Sequence, residues 1–408
     1  MDKTKLRTCM ILKKIPPLSI LILFMLFFSK LDNMNAQKSN HFRMNWLIVD
    51  SLPPPNIGVA GAFSGIHNGA IIVAGGANFP NGMPWEGGKK QYSNEVFVFS
   101  INRNGTSRFN REDKLKRQNQ SFNLIEKRAY GASVSTPKGI VCLGGENEKG
   151  ASNKAFLMQC NSKIKQIEYQ NLANLPLPLT NASATTIGNT IYVVGGESDN
   201  KTTQSFLSLD MSDRNAAWKI LPDLPKPISN AVVVAQSESI FVIGGRAKTA
   251  SGISDLYNSA FKFDIKQNIW TPLSNIGDGQ QTVTALTAGT GIALENQSIV
   301  LFGGDKGKTF HQVETLLAAI NSEKEEAKKQ SLIQQKNQLL ATHPGFSKDI
   351  LLYDTETDQW AKIGTIPFDT PVTTTAFRWG KRIYIPSGEI RAGVRTPHIL
   401  AVDIQNEK

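Results

Sequence analysis

The sequence predicts an all-β protein, a propeller of six blades whose ring is closed by its own N-terminal strand. Three observations predict it. A Gly-Gly pair ends a short apolar run five times, at Gly75-Gly76, Gly144-Gly145, Gly195-Gly196, Gly244-Gly245 and Gly303-Gly304, and a period of roughly 50 residues marks a propeller or solenoid array. A sixth run, RIYIP, ends in Ser387-Gly388 instead. Around each pair the chain reads as four short strands: a small-residue strand, the apolar strand, a strand such as AFKFDI (Ala260–Ile265), and an aromatic followed by Leu-Pro or Pro-Leu. Four strands per repeat is one propeller blade.

The first segment stands apart from the ring. Lys3, Lys5, Arg7, Lys13 and Lys14 precede an apolar run of 14 residues from Ile15 to Phe28, and Asn35-Ala36 offers a small-residue cleavage site before Gln37. That run is short for a bilayer span. Residues 1–36 are therefore expected to be a secretory signal peptide, leaving a mature chain, 37–408, that is periplasmic or secreted and has no membrane span. Lys30 keeps an uncleaved anchor as the alternative reading. Residues 1–36 hold six Lys/Arg and two Asp/Glu, so the net charge of +11 becomes +7 without them. Much of the remaining excess lies between Arg108 and Arg128, with no aromatic platform beside it. It reads as solvated surface and not as a nucleic-acid site. Cys142 and Cys160 are left after Cys9 is removed. Cys142 lies within an apolar run, which suits a buried thiol, and a bond between the two is the alternative.

The strand Asn45–Asp50, with Trp46, comes next. Blades are expected to start near Gly58, Ala129, Asn181, Ser229, Thr282 and Thr373. The last has no Trp strand after His398–Ile404, so Trp46 should supply the outer strand of that blade and close the ring, removing an open edge. The fifth blade is interrupted. More than 40 residues separate Gly304 from Ile350, and Val313, Leu316, Leu317 and Ile320 fall at helical spacing. One or two helices are expected within 308–346, as a lid or binding element.

In a propeller the loops after the apolar strands emerge on one face. The residues after the pairs are Ala77, Glu146, Glu197, Arg246, Asp305 and Glu389, an ionisable rim. These charges can pair among themselves or serve a site. The five His residues show no metal-ligand spacing, so no metal is expected.

The repeat of Gly-Gly, a downstream Tyr or Phe and then Trp resembles the kelch repeat. SGEIRAGVRT (Ser387–Thr396) resembles the NGE-x-K-PG-x-RT segment of the bacterial sialic acid (N-acetylneuraminate) mutarotases, which are six-bladed kelch propellers. GGANFPNGMPWEGGKKQYSNEV (Gly75–Val96) is similar to that family's loop from GGA-x-F to EGLKK-x-YS, and RAYGAS (Arg128–Ser133) leading to Gly144–Glu146 is similar to its RAYG…GGE blade. The family also carries a helical insertion at the blade interrupted here. Its members begin with the blade that starts here near Asn181, so the chain resembles a circular permutant.

The resemblance implies a cofactor-independent mutarotase acting on sialic acid or a related acidic sugar, with Glu389 catalytic and Arg395 contacting substrate. Arg128 and Asn78 follow as substrate-binding candidates by motif, while Arg391 stands where the family has lysine. The chemistry suits these groups. A partly desolvated carboxyl can shuttle protons as a cyclic hemiketal opens and recloses, and a guanidinium can clamp the sugar carboxylate or pair with Glu389 itself. Glu389 and Arg395 are expected to face the central channel beneath the insertion. The alternative is a non-catalytic kelch propeller that binds glycan or protein. A sialidase lacks support without repeated S-x-D-x-G-x-x-W turns, as does a copper oxidase with so few His. Oligomeric state is not legible from the sequence.

Overall fold

A computed structural model of the chain describes residues 42–101, 115–118, 121–161, 166–213, 215–280, 282–294 and 297–406. The expected signal segment and Arg108 of the basic block lie outside the described residues. The chain divides into two units, and the larger, Arg43–Gln405, is the propeller.

Six antiparallel sheets make the blades. Blades one to five use consecutive strands; blade two runs Ala132–Thr136, Gly139–Leu143, Ala155–Asn161 and Gln166–Asn171. Blade six is built from both ends of the chain, in the order Phe42–Ser51, His398–Asn406, Arg382–Pro386, Phe377–Trp379. Trp46 thus stands in its outer strand, as the missing Trp strand requires. Apolar clusters fill the spaces between blades. One unites Phe63, Ile72 and Val98 of blade one with Ile140 and Met158 of blade two. Trp218, Trp270 and Trp360 each donate an indole N–H to the preceding blade, at Ala173 O, Pro222 O and Ser274 O. This explains the recurrent aromatic: it buries a ring and ties two blades with one polar atom. Cys142 and Cys160 are both buried free thiols.

Six backbone hydrogen bonds close a ring on the axis. Gly61 N–H donates to Thr373 O, Thr373 to Ala288, Ala288 to Asn230, Asn230 to Asn181, Asn181 to Tyr130 and Tyr130 to Gly61, at 2.8–2.9 Å. All six residues have positive φ, from 51° to 66°. The fifth member is Ala288, and its inner strand is Thr290–Ala293. Blade five therefore starts later than the expected Thr282, because a bridged loop (Gly277 with Val283) precedes it.

The first glycine of each pair is required by the approach of the next blade. A Cβ on Gly75, Gly144, Gly195 or Gly244 would lie 2.0–2.3 Å from the carbonyl of Arg128, Leu179, Ile228 or Leu286. Each of those carbonyls accepts the N–H of the second glycine at 2.8 Å. Ser387 breaks the rule at φ 53° because its hydroxyl joins the seam, accepting Val59 N–H at 2.9 Å and donating to Thr396 O at 2.7 Å. Gly195→Ala, whose Cβ would sit 2.0 Å from Ile228 O at φ 60°, is expected to lose about 2–4 kcal/mol of stability, read as a lower urea midpoint.

At the other end of the inner strand of blade one, His67 is buried, and its Nδ1 accepts the Cys160 N–H at 2.9 Å. Burial lowers its pKa from the ordinary value, as it does for His343. The unfolded chain therefore binds more protons at these rings than the folded one. Stability is full above about pH 6.5 and declines as pH falls through that value. The urea midpoint is expected to drop between pH 7.5 and 5.5, with a smaller drop in His67→Asn.

Candidate active site

Beyond its glycine pair, each of five blades carries a small two-stranded hairpin: 77–78 with 91–92, 146–147 with 150–151, 197–198 with 201–202, 246–247 with 255–256, and 389–391 with 394–395. In blade five, helices α1 (Lys308–Ser322) and α2 (Glu326–Ala341) stand in that place. Ala77, Glu146, Glu197, Arg246, Asp305 and Glu389 each bridge the residue beside the axial ring, namely Ala60, Ala129, Thr180, Ser229, Thr287 and Val372. The repeat thus places six equivalent positions on one face.

Glu389 and Arg395 are direct partners across their hairpin, next to a bulge. The Arg395 Nη1 donates to Glu389 Oε1 at 2.8 Å, and the Gly393 N–H donates to the same oxygen at 2.6 Å. Gly393 has φ 80°, which lets the turn aim its amide at the carboxylate. The arginine side chain is 4% exposed and the glutamate 20%, so the carboxylate is the accessible half of the pair. Arg395 is fixed from blade one as well: its Nε donates to Ala77 O at 3.4 Å and its guanidinium stacks 5.1 Å from the Phe79 ring centre.

A second group adjoins this pair. Tyr130, one member of the axial ring, lies within electrostatic reach of Arg395, Glu389 and Lys90. Burial raises its pKa; Arg395 and Lys90 pull it down and Glu389 pushes it up. The Lys90 Nζ lies 4.9 Å from the Tyr130 and Tyr92 ring centres and donates to Glu146 Oε1 at 2.9 Å. Tyr92 donates to that same oxygen at 2.6 Å, and its own pKa is pushed up to about 12, by burial first.

The insertion docks onto this face. Phe310 of α1 stacks with the Arg246 guanidinium at 5.3 Å. Glu314 accepts the Ser254 N–H and hydroxyl, both at 2.7 Å. Asn337 of α2 donates to Trp85 O at 3.3 Å. His343, past α2, is buried and within electrostatic reach of Asp305, Glu389 and Arg391. Burial raises the pKa of Asp305. Glu197 belongs to a separate knot: burial alone would raise it, yet Arg246 at 2.9 Å and Lys248 at 2.7 Å hold it below its ordinary value.

Not all of the expected site residues meet at this pair. A cavity of about 360 Å³ follows the axis, lined by small and hydroxyl side chains such as Ser64, Ser133, Ser183 and Thr375. Glu389 and Arg395 are not among its lining residues; Arg395 rests instead against Ala77 O. Arg128 does not join them. Its Nη1 donates to Gly144 O at 3.3 Å and its Nη2 pairs with Glu126 at 2.5 Å, so it braces blade two. Asn78 is close, one residue from Ala77, but its amide nitrogen donates to Gly58 O at 3.0 Å. Tyr130 and Lys90 are the site residues that the sequence reading missed. Both lie inside the quoted motifs, as the Tyr of RAYG and the second Lys of GGKKQYS.

Comparison with known proteins follows the same lines. A solved structure titled "Structure of YjhT" superposes with a TM-score of 0.59 over 88% of this chain and 100% of that one, at 15% identity, which bears on the fold. The N-acetylneuraminate epimerase of Vibrio cholerae serotype O1 is 35% identical over 137 residues, 30% of this chain and 32% of that protein. The enzyme of the same name from Vibrio vulnificus is 38% identical over 111 residues, 26% of each chain, and that of Salmonella enteritidis is 34% identical over 117 residues, 26% of this chain and 28% of that one. The matches therefore span about a third or less of these relatives' length. The family model for N-acetylneuraminate epimerase matches residues 172–408, more than half of this chain. With its six blades, its interrupted fifth blade and this match, the chain belongs to the N-acetylneuraminate epimerase family.

Proposed function

We propose that the protein is a sugar mutarotase that interconverts the α and β anomers of N-acetylneuraminate or a closely related acidic sugar. The observation that carries the reading is the Glu389–Arg395 pair, 2.8 Å apart across one hairpin, with the carboxylate the more open partner. Family membership supports it, and so do the names of the relatives. The family match starts at residue 172, just ahead of the blade holding Asn181, which supports a rotated blade order. The signal expected at the N-terminus supports action outside the cytoplasm.

The sugar carboxylate competes with Glu389 for the Arg395 guanidinium, and that exchange frees Glu389 as a base beside the anomeric centre. Glu389 removes the anomeric hydroxyl proton, the bond from the anomeric carbon to the ring oxygen breaks, and the ring oxygen gains a proton. The open keto acid rotates its carbonyl and closes on the other face by the reverse transfers. Atoms and charge balance without a redox partner. A cyclic hemiketal already interconverts in water, so a positioned acid–base group is sufficient help.

The test is proton NMR of one crystalline anomer, dissolved immediately before mixing. The approach to anomeric equilibrium is expected to quicken in proportion to protein concentration while the final ratio stays fixed. An unchanged time course at micromolar protein would sink the reading.

A further inference from the structure

We propose that Trp85 is a positioning residue for Glu389: its loop seats on the Gly393 turn and so fixes the backbone amide that aims the carboxylate. The inference rests on the mutarotase reading. Glu389 Oε1 has two donors, the Arg395 Nη1 at 2.8 Å and the Gly393 N–H at 2.6 Å. When the sugar carboxylate draws Arg395 away, the Gly393 amide is the donor left to hold Glu389 in place. Whatever fixes that turn then fixes the base at the moment it acts.

The turn is covered by blade one. Between the strands 77–78 and 91–92 the chain makes a closed loop over residues 79–88. Its neck is tight: a Cβ on Gly88 would lie 1.8 Å from Gly82 O, and the Gly88 N–H donates to Met83 O at 2.9 Å. Glu86 closes it from within by accepting the Met83 N–H at 2.9 Å. A loop whose ends meet and which bonds to itself is a compact body and not a slack strap. Its tip is the short turn Pro84–Glu86. A Cβ on Gly393 would lie 2.8 Å from Pro84 Cγ and Cδ and 3.4 Å from Trp85 Cζ3. Pro84 and the indole therefore sit directly on the Gly393 backbone.

Two further contacts tie this seat to the site. Phe79, at the start of the same loop, stacks on the Arg395 guanidinium, which lies 5.1 Å from its ring centre. One loop thus touches both the arginine and the turn that hold Glu389. From the other side, Asn337 of α2 donates to Trp85 O at 3.3 Å, so the insertion of blade five bears on the same residue. The packing divides the labour. Without the Trp85 ring, Arg395 keeps its Ala77 O and Phe79 contacts, so sugar binding is expected to persist. The Gly393 amide loses its cover, and the carboxylate loses its aim. A catalytic group displaced by about 1 Å costs on the order of 10²-fold in rate.

Trp85→Ala is expected to lower kcat about 10- to 10²-fold while KM stays within about threefold of the wild type. Trp85→Phe, which keeps an aromatic ring over the turn, is expected to recover most of that loss. A second readout needs no substrate: amide hydrogen exchange at Gly393, followed by mass spectrometry on the segment that holds it. In Trp85→Ala that amide is expected to exchange at least about tenfold faster, with the axial-ring amide of Asn181 unchanged. A variant kcat within about threefold of the wild type overturns the proposal; if KM rises instead, Trp85 binds the sugar itself. Unchanged exchange at Gly393 in Trp85→Ala overturns it as well. So does a Gly393 amide that exchanges in the wild type as fast as in an unfolded peptide, which decides the matter even if the variant fails to fold. A wild type that accelerates nothing sinks the mutarotase reading itself, whereas the exchange result judges the Trp85 contact by itself.

Discussion

Glu389→Gln is expected to lower the catalysed mutarotation rate by about 10²–10⁴-fold, the usual contribution of a positioned acid–base group. The replacement is close to isosteric, and its carbonyl oxygen still accepts from Gly393 N–H and Arg395, which the native oxygen does at 2.6 and 2.8 Å. What it loses is the ability to hold a proton and the charge opposite Arg395. That guanidinium is 4% exposed, so the variant is also expected to lose up to about 3 kcal/mol of stability, the cost of a buried charge left without its counter-charge. Anomer NMR at a temperature well below the unfolding midpoint separates the two effects. A variant that is folded and equally fast would remove Glu389 from the chemistry. Only a wild type that accelerates nothing favours the non-catalytic reading, in which this face binds a sugar or a protein.

The legible parts of this chain were those in which one residue type is forced by geometry. Gly75, Gly144, Gly195 and Gly244 have no room for a Cβ, so the pairs recur and count the blades. The lack of a Trp strand after His398–Asn406 pointed to Trp46 for the same reason: a blade needs its outer strand. Blade five was less legible because Ala288 and Thr290 carry no mark that separates them from Thr282 and the loop before them. For the site, Glu389 was legible because it follows the glycine position directly and its loop resembles a known segment. Arg128 was placed by motif alone, and residue direction from the axial ring decides what such a residue meets. Arg128 precedes the ring residue by two positions and turns to Gly144 O and Glu126, whereas Tyr130 is the ring residue itself. Lys90 was hidden because two of its partners, Glu146 and the Tyr130 ring, lie on other segments. Pattern along the chain does not report which loops meet across blades.

Removing the N-terminal strand is expected to have the largest effect on the fold. A chain starting at Leu52, compared with one starting at the expected mature residue Gln37, loses Phe42–Ser51 and leaves His398–Asn406 as an open edge. The edge then invites pairing with other chains. Trp46 gives up its edge-on contact with Phe302, 5.7 Å away in blade five. Val49 gives up its place against the cluster of Phe377, Tyr384 and Ile399. At about 1.5–3 kcal/mol for each large apolar side chain returned to water, the loss is on the order of 5 kcal/mol, a large share of a typical domain's stability. The truncated chain is expected to unfold at a clearly lower temperature and to aggregate. A synthetic peptide of residues 42–51 should raise its midpoint with increasing concentration, because it binds the folded ring. Equal midpoints for the two chains would mean that the strand does not close the ring. The site should register the loss before the fold does. The same seam between blades six and one holds Gly388 N–H on Val59 O at 2.9 Å, Asn78 on Gly58 O at 3.0 Å and Arg395 on Ala77 O at 3.4 Å. A ring that breathes at this seam moves Glu389 and Arg395 relative to blade one, and catalysis that depends on their placement falls while most blades remain folded.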